Sequence, residues 1–374
     1  MIKAALIGLG KMGISHCSIL GAHPDVDLCA VCDTSRFNLA AFEKYSPFQC
    51  FDDYREMIQT CGPDCVLIAT PTRFHAQPAL FAIERGIHLF VEKPLCVDYG
   101  DALELTTRAE ARGVVNQVGF HNRFIGSFRA AKRLLELGAL GEVYHFVGEA
   151  FGPVVLRARA KTWRSSKTEG GGCLYDYASH VIDLLCSFFG EPSGVTGTTF
   201  KKIFSTGVED AIYSTLLYDC GLSGQLSVNW SEPTHRKMST RVTVWGKEGK
   251  LDVNSQELKI YLRRDRPDLA LEAGWNFRYM TDLVEPVTFH LRGEEYTAQL
   301  DYFINRVKGG RPQANMNGFS SALATNRVIE RLLGDRSSAG NRGQGLGAAP
   351  SRRNFTSWFA NLPRFQLFRN ERWK

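Results

Sequence analysis

The segment Ile2-Lys3-Ala4-Ala5-Leu6-Ile7 runs straight into Gly8-Leu9-Gly10-Lys11-Met12-Gly13, and Asp33 follows twenty residues beyond Gly13, at the end of the apolar run Leu28-Cys29-Ala30-Val31-Cys32. A buried strand, a G-x-G-x-x-G turn and an acid at that spacing constrain the opening of the chain to a strand–helix–strand unit that holds a dinucleotide. Gly8 permits the tight turn, Gly10 lets the backbone approach a pyrophosphate, and Gly13 allows close packing of helix on strand. The helix start, Lys11 and Met12 included, offers free N–H groups to the phosphates. Asp33 is placed to accept hydrogen bonds from a ribose diol, and its charge repels a 2′-phosphate, so NAD is expected first. Arg36, three residues on, leaves NADP possible, because a guanidinium there can contact that phosphate.

At 374 residues the chain exceeds the length at which one hydrophobic core keeps growing, so two domains are expected. The net charge of +6 is concentrated in residues 335–374, which hold eight Lys/Arg and two Asp/Glu, while residues 1–334 carry 37 of each sign. A neutral body gives no basis for a nucleic-acid or membrane surface. No apolar run approaches the ~20 residues that span a bilayer, and strand residues follow Met1 at once, so a cytoplasmic location is expected. The ten cysteines are scattered. Cys29 and Cys32 point to opposite faces of a strand, and Cys61 and Cys65 lack a second pair, so neither a metal nor a redox site is expected.

From residue 1 to about 120, apolar runs at 4–7, 28–32, 65–69, 87–91 and 114–119 alternate with stretches of helical spacing at 12–22, 35–44, 52–60, 75–85 and 98–112. Such alternation implies a parallel sheet covered on both faces, a Rossmann domain over 1–120. Beyond it, helices at about 126–138 and 175–188 bracket a strand at 143–150. Strand-like runs follow at 194–204, 210–219, 222–231, 239–246, 249–254 and 257–263, and helices at about 295–308 and 318–334 close the fold. Residues 121–334 are therefore expected to form an α+β domain with a large, mostly antiparallel sheet, one face on helices and one face open. An open face of that size predicts a homodimer or homotetramer. Residues 335–374 read as a basic, aromatic-containing tail, flexible in its first half, Ser337 to Gly345.

Three further motifs lie where such an enzyme would use them. Thr70-Pro71-Thr72-Arg73-Phe74-His75 and Glu92-Lys93-Pro94 each follow an apolar strand, at the carboxyl edge where ligands bind. Gly170-Gly171-Gly172 opens a helix on which Asp176 and His180 are four apart and share a face. Oxidation of a secondary alcohol needs a base for the hydroxyl proton, a task suited to His180; Lys93 can stand beside the developing alkoxide, and Asp176 can orient the histidine or bind a substrate hydroxyl. The partition of the proton between Lys93 and His180 stays open. Glu92 is read as holding Lys93 or the cofactor, and Asp183 as a structural or rim acid. Thr70, Pro71, His75, Glu92 and Lys93 are expected at the cofactor.

Together these motifs resemble the Gfo/Idh/MocA family, the glucose–fructose oxidoreductase and inositol dehydrogenase group, over about residues 1–334. The resemblance implies Lys93, Asp176 and His180 as the catalytic group and bound NAD or NADP. It also implies a polyhydroxylated substrate such as a sugar, inositol or nucleotide sugar, and a dimer or tetramer. By the same resemblance Arg123, in Gly119-Phe120-His121-Asn122-Arg123-Phe124, lies near substrate. The pair Trp163-Arg164, just before the glycines, is a candidate for contacting a sugar face or a nucleotide phosphate. The alternatives are a reductase running the other way and a non-catalytic dinucleotide-binding sensor or regulatory subunit; the intact Lys93, Asp176 and His180 speak against the sensor.

Overall fold

The computed structural model describes residues 1–157, 162–309 apart from 285, 288, 290 and 292, and 315–342, with side chains to residue 335. The first sheet consists of β1 (Ile2–Ile7), β2 (Val26–Cys32), β3 (Gln49–Phe51), β4 (Cys65–Ile68), β5 (His88–Val91) and β6 (Asn116–Val118), in the order β3-β2-β1-β4-β5-β6. All its pairings are parallel. The crossovers carry α1 (Lys11–Ala22), α2 (Arg36–Tyr45), α3 (Tyr54–Cys61), α4 (Ala76–Glu84) and α5 (Tyr99–Arg112). Alternate residues of β1 enter different cores: Ala5 and Ile7 pack with Met57, Ala79 and Leu105, whereas Ala4 and Leu6 pack with Ile19 and Leu20. Burial on both faces is why these strands read as continuous apolar runs. β3 gave no such run, because it is three residues long and starts on an exposed Gln49. Strand order reverses between β1 and β4, which puts Gly8 and Thr70 at the switch point where ligands bind.

The second sheet has eight strands: β7 (Val143–Phe151), β8 (Gly194–Lys201), β9 (Ala211–Leu217), β10 (Ser223–Asn229), β11 (Ser239–Gly246), β12 (Gly249–Asn254), β13 (Glu257–Leu262) and β14 (Gly274–Tyr279). Their order is β14-β13-β12-β11-β7-β10-β9-β8, antiparallel except for β7 with β10. β14 is absent from the sequence reading because it is an edge strand whose aromatics Trp275, Phe277 and Tyr279 point to solvent, 44–53% exposed. One face lies under α6 (Gly126–Glu136), α7 (Ser179–Phe189) and α10 (Phe319–Arg342), through Phe128, Val181, Leu185 and Val328. The other face is open, as expected, and carries Tyr213 and the Tyr261–Trp275 ring pair.

Two features differ from the sequence reading. The short α8 (Met280–Leu283) is followed by α9 (Glu294–Val307), which packs Leu300 and Phe303 beside Leu6 and Phe90 of the first sheet, while Phe319 of α10 enters the core around Val91. The closing helices thus return to the N-terminal sheet and tie the two halves together. α10 also continues to Arg342, eight residues past its expected end. No proline interrupts 335–342, and Asp335 accepts from the Thr198 N–H at 2.7 Å, anchoring the helix to β8. The rest of the expected tail, 343–374, lies outside the described residues. Among the described residues no helix is long and apolar enough to cross a membrane, and no group of His, Cys, Asp and Glu could hold a metal.

Candidate active site

The turn after β1 is shaped by sterics. Gly8 has φ +99°, and a Cβ there would sit 2.8 Å from the Ala69 carbonyl and the Thr70 N; a Cβ on Gly13 would sit 1.8 Å from the Gly8 carbonyl oxygen. Gly10 has an ordinary φ of −70° and a Cβ there meets nothing within 4 Å, so its glycine keeps open the space in front of α1, whose N-terminus has no side-chain cap. That space and those free N–H groups fit a pyrophosphate. Lys11 and Met12 form the first turn of α1. Beside it lies a cavity of about 430 Å³, lined by Gly8, Gly10, Asp33, Asp52, Thr70 and Pro71. Asp33 accepts from Leu9 N at 2.5 Å and Ser35 N at 2.7 Å, which leaves half of a carboxylate's acceptor positions for a ligand. The Thr70 hydroxyl is buried there without a partner. These features fit the adenosine and phosphate portions of NAD. Arg36 opens α2 with its side chain 90% exposed, 3.4 Å from Asp52.

His75 does not face that cavity. It is buried, with Nδ1 3.1 Å from the Pro94 carbonyl and 3.2 Å from that of Leu95, and Nε2 2.9 Å from the Thr70 carbonyl. Both ring nitrogens face backbone carbonyls and the one that carries the proton donates, so the ring sits wedged between the 70–71 loop and the 93–95 loop.

Glu92 is buried at the end of β5. One oxygen is 2.6 Å from His16 Nε2 and the other accepts from the Lys93 N–H at 3.1 Å. Burial acts to raise its pKa, yet the His16 hydrogen bond and the charges of His16 and Lys93 hold the carboxyl below its ordinary value. His16 was not singled out from sequence. The signal was present as a polar residue at a core position of α1, between the buried Gly13 and Leu20.

Lys93 reaches across to the second half of the chain. Its Nζ donates to the Asp176 backbone carbonyl at 2.8 Å and to Asp176 Oδ1 at 3.0 Å, while Arg164 Nε donates to Oδ2 at 3.0 Å. Burial acts to raise Asp176, but Lys93 and Arg164 outweigh it and hold the carboxyl below its usual range. Residues Leu174–Ala178 form one π-helical turn before α7, a distortion that recurs at functional sites. Asp176 spends its carboxylate on Lys93 and Arg164, not on His180.

His180 is buried, with its ring edge-on to His121 at 4.9 Å and to Phe120 at 6.3 Å, and His121 in turn stacks on Tyr296 at 4.6 Å. Its Nδ1 is sealed without a partner. Burial, the Lys93 charge and His121 drive its pKa well below its ordinary value, so the imidazole is neutral.

Arg123 is elsewhere. It forms a bidentate pair with the fully buried Asp183 at 2.6 and 2.8 Å, donates to Ser321 Oγ at 2.7 Å, and bonds the Met316 carbonyl. The guanidinium is a strut between α7 and the start of α10, not a substrate contact, because its donors are taken up by protein. Asp183 is accordingly structural. Trp163 is half-buried on the 3₁₀ turn before the glycines, with the Arg164 guanidinium 4.6 Å over its ring. Gly171 lets that turn close, since a Cβ there would meet the carbonyl oxygens of Arg164 and Trp163 at 2.4 and 2.6 Å.

Residues 2–120 match the family model of the oxidoreductase family, NAD-binding Rossmann fold, and residues 128–252 match that of the GFO/IDH/MocA C-terminal domain. The chain belongs to the Gfo/Idh/MocA family. It is an NAD-dependent dehydrogenase by that membership. Among curated relatives, D-glucoside 3-dehydrogenase of Escherichia coli is 29% identical over 241 residues, covering 59% of this chain and 68% of that protein. The scyllo-inositol 2-dehydrogenase (NAD(+)) of Bacillus subtilis is 25% identical over 324 residues, 83% of this chain and 87% of that protein. A levoglucosan dehydrogenase structure in complex with NADH shares the fold, with a TM-score of 0.79 at 22% identity, covering 90% of this chain and 97% of that one.

Proposed function

We propose that the protein interconverts a secondary alcohol and a ketone on a polyhydroxylated ring, a sugar, an inositol or a sugar carried on another group, with Lys93, Asp176 and His180 as its catalytic group. The observation that carries this reading is the ion pair of Lys93 Nζ with Asp176 beside a neutral, buried His180. NAD, when bound, supplies the hydride acceptor for the carbon being oxidised. His180 accepts the hydroxyl proton in its neutral form. Lys93 stabilises the negative charge that develops on the same oxygen, in a site dry enough for one charge to count. Asp176 positions Lys93, and Arg164 keeps Asp176 ionised. In the reductive direction the same groups return the proton. No observation favours the non-catalytic sensor.

The relatives named for glucoside and inositol dehydrogenation support ring polyols as the substrate class. The half-exposed aromatics on the open sheet face support a homodimer or homotetramer. The test is a thermal-shift panel of sugars, inositols, glycosides and nucleotide sugars with NAD and NADH, followed by turnover on each hit. A ligand at ~100 times its dissociation constant adds roughly 2.7 kcal/mol. Failure of every ring polyol to raise Tm or to reduce NAD would overturn the reading.

A further inference from the structure

Arg164 touches Asp176 through Nε and also borders a cavity of about 290 Å³, whose walls include Trp163, Val155, Phe204, Ser205 and Trp230. Two of those walls are fixed by one carboxylate. Asp210 Oδ1 accepts from Trp230 Nε1 at 2.7 Å, and its Oδ2 accepts from the backbone N–H groups of Ile203, Phe204 and Ser205 at 2.6, 2.7 and 2.8 Å. Trp230 is completely buried, so the wall it forms is rigid. Phe204, by contrast, is 38% exposed although its backbone is held. Its ring lines the cavity while remaining partly open to solvent, so it can be covered by a ligand that fills the space.

The lining selects the ligand's chemistry. Aromatic faces suit the C–H faces of a saturated ring, and the hydroxyls of Thr162, Ser165, Ser205 and Thr206 line the same cavity. Arg164 is the single cation among its described lining residues, and its charge is already paired with Asp176. That lining is poor for a diphosphate, which calls for several donors and cations. The volume lies at the lower end of the roughly 300–1,000 Å³ of small-molecule pockets, room for about one ring. Arg164 joins this cavity directly to the pair that holds Lys93.

We infer that this cavity is a subsite for a second, uncharged ring attached to the ring being oxidised, so that the preferred substrate is a disaccharide or an aryl or alkyl glycoside. The inference rests on the dehydrogenase reading above and names the substrate class of that same site. A free monosaccharide leaves the subsite empty, and a nucleotide sugar brings a diphosphate that finds, among the described lining residues, only Arg164, already paired with Asp176.

The test measures NADH formation by wild type, Phe204→Ala and Val155→Trp on matched sets: a monosaccharide, its methyl glycosides, disaccharides carrying the same ring, and its UDP conjugate. In wild type, kcat/KM for the best disaccharide should exceed that for the matching methyl glycoside by about tenfold or more, the scale of a filled apolar contact. Phe204→Ala, which removes a wall, and Val155→Trp, which fills the cavity, should each bring that ratio toward one. An NADH-dependent rise in Tm in each variant verifies folding. A wild-type ratio near one, a ratio insensitive to both variants, or a preference for the UDP conjugate overturns the subsite. If no sugar is turned over, the dehydrogenase reading fails separately, and binding decides the subsite. A larger Tm rise with disaccharide than with methyl glycoside, lost in Phe204→Ala, sustains it; equal rises overturn it.

Discussion

Replacing Arg123 with methionine keeps a side chain of similar length and removes a guanidinium that makes two hydrogen bonds to the Asp183 carboxylate, one to the Asp183 carbonyl, one to Ser321 and one to the Met316 carbonyl. Asp183 is fully buried, so the variant strands a carboxylate with its cation gone. Breaking a buried pair in this way costs about 3–5 kcal/mol. At about 2–4 °C per kcal/mol for a body of this size, Tm should fall by roughly 6–20 °C. Burial already pushes the Asp183 carboxyl above its ordinary value, and loss of Arg123 pushes it further. An acid with a raised folded pKa binds more protons folded than unfolded, so its stability contribution is greatest below the unfolded pKa of ~3.9 and is lost as pH rises. The Tm gap between wild type and Arg123→Met should therefore narrow as pH falls toward that value. Adding Asp183→Asn should restore part of the loss, because no charge then remains buried. Scanning calorimetry across pH, with a parallel NAD titration, reads all of this. A variant within about 2 °C of wild type, with a pH-independent gap and a raised KM for substrate, would refute the strut and return Arg123 to the substrate.

Asp33 and Asp52 both line the adenosine-side cavity, so kcat/KM should favour NAD; a measured preference for NADP would show that Arg36 governs that edge instead. Gly13→Ala forces a Cβ to 1.8 Å from the Gly8 carbonyl, and calorimetric titration should show NAD binding lost; retained affinity would mean that the turn can move aside. His180 has a folded pKa well below 6.5, so the unfolded chain binds the extra proton first and stability is lost as pH falls below about 6.5. His180→Gln should make that acid-side fall in Tm shallower, and an unchanged slope would place the titration on another group.

The opening of the chain was legible because steric necessity writes it in glycines: the clashes at Gly8 and Gly13 leave no other residue possible. Strands buried on both faces were equally plain, whereas β3 and β14 were not, one being too short and the other turning its aromatics outward. Lys93 and Asp176 pair, and the Lys93 charge acts on His180, but periodicity did not show which partners Asp176 takes. A π turn is a single inserted residue with no compositional mark, so the sharing of Asp176 between Lys93 and Arg164 could not be read from an i, i+4 spacing. Arg123 and His75 were misread for a related reason. Their residue types and loop positions suit a ligand as well as they suit a strut, and only the positions of Asp183 and of the Pro94 and Leu95 carbonyls decide between the two.

The most direct measurement is kcat/KM of His180→Ala on the substrate found in the ligand panel, taken with the NAD dissociation constant of the same preparation. With His180 as the base, the loss should be ~10² to 10⁴-fold, the usual contribution of positioned proton transfer, with NAD affinity nearly unchanged. A variant that turns over at near wild-type rate would remove His180 from the mechanism and leave Lys93 as the proton acceptor.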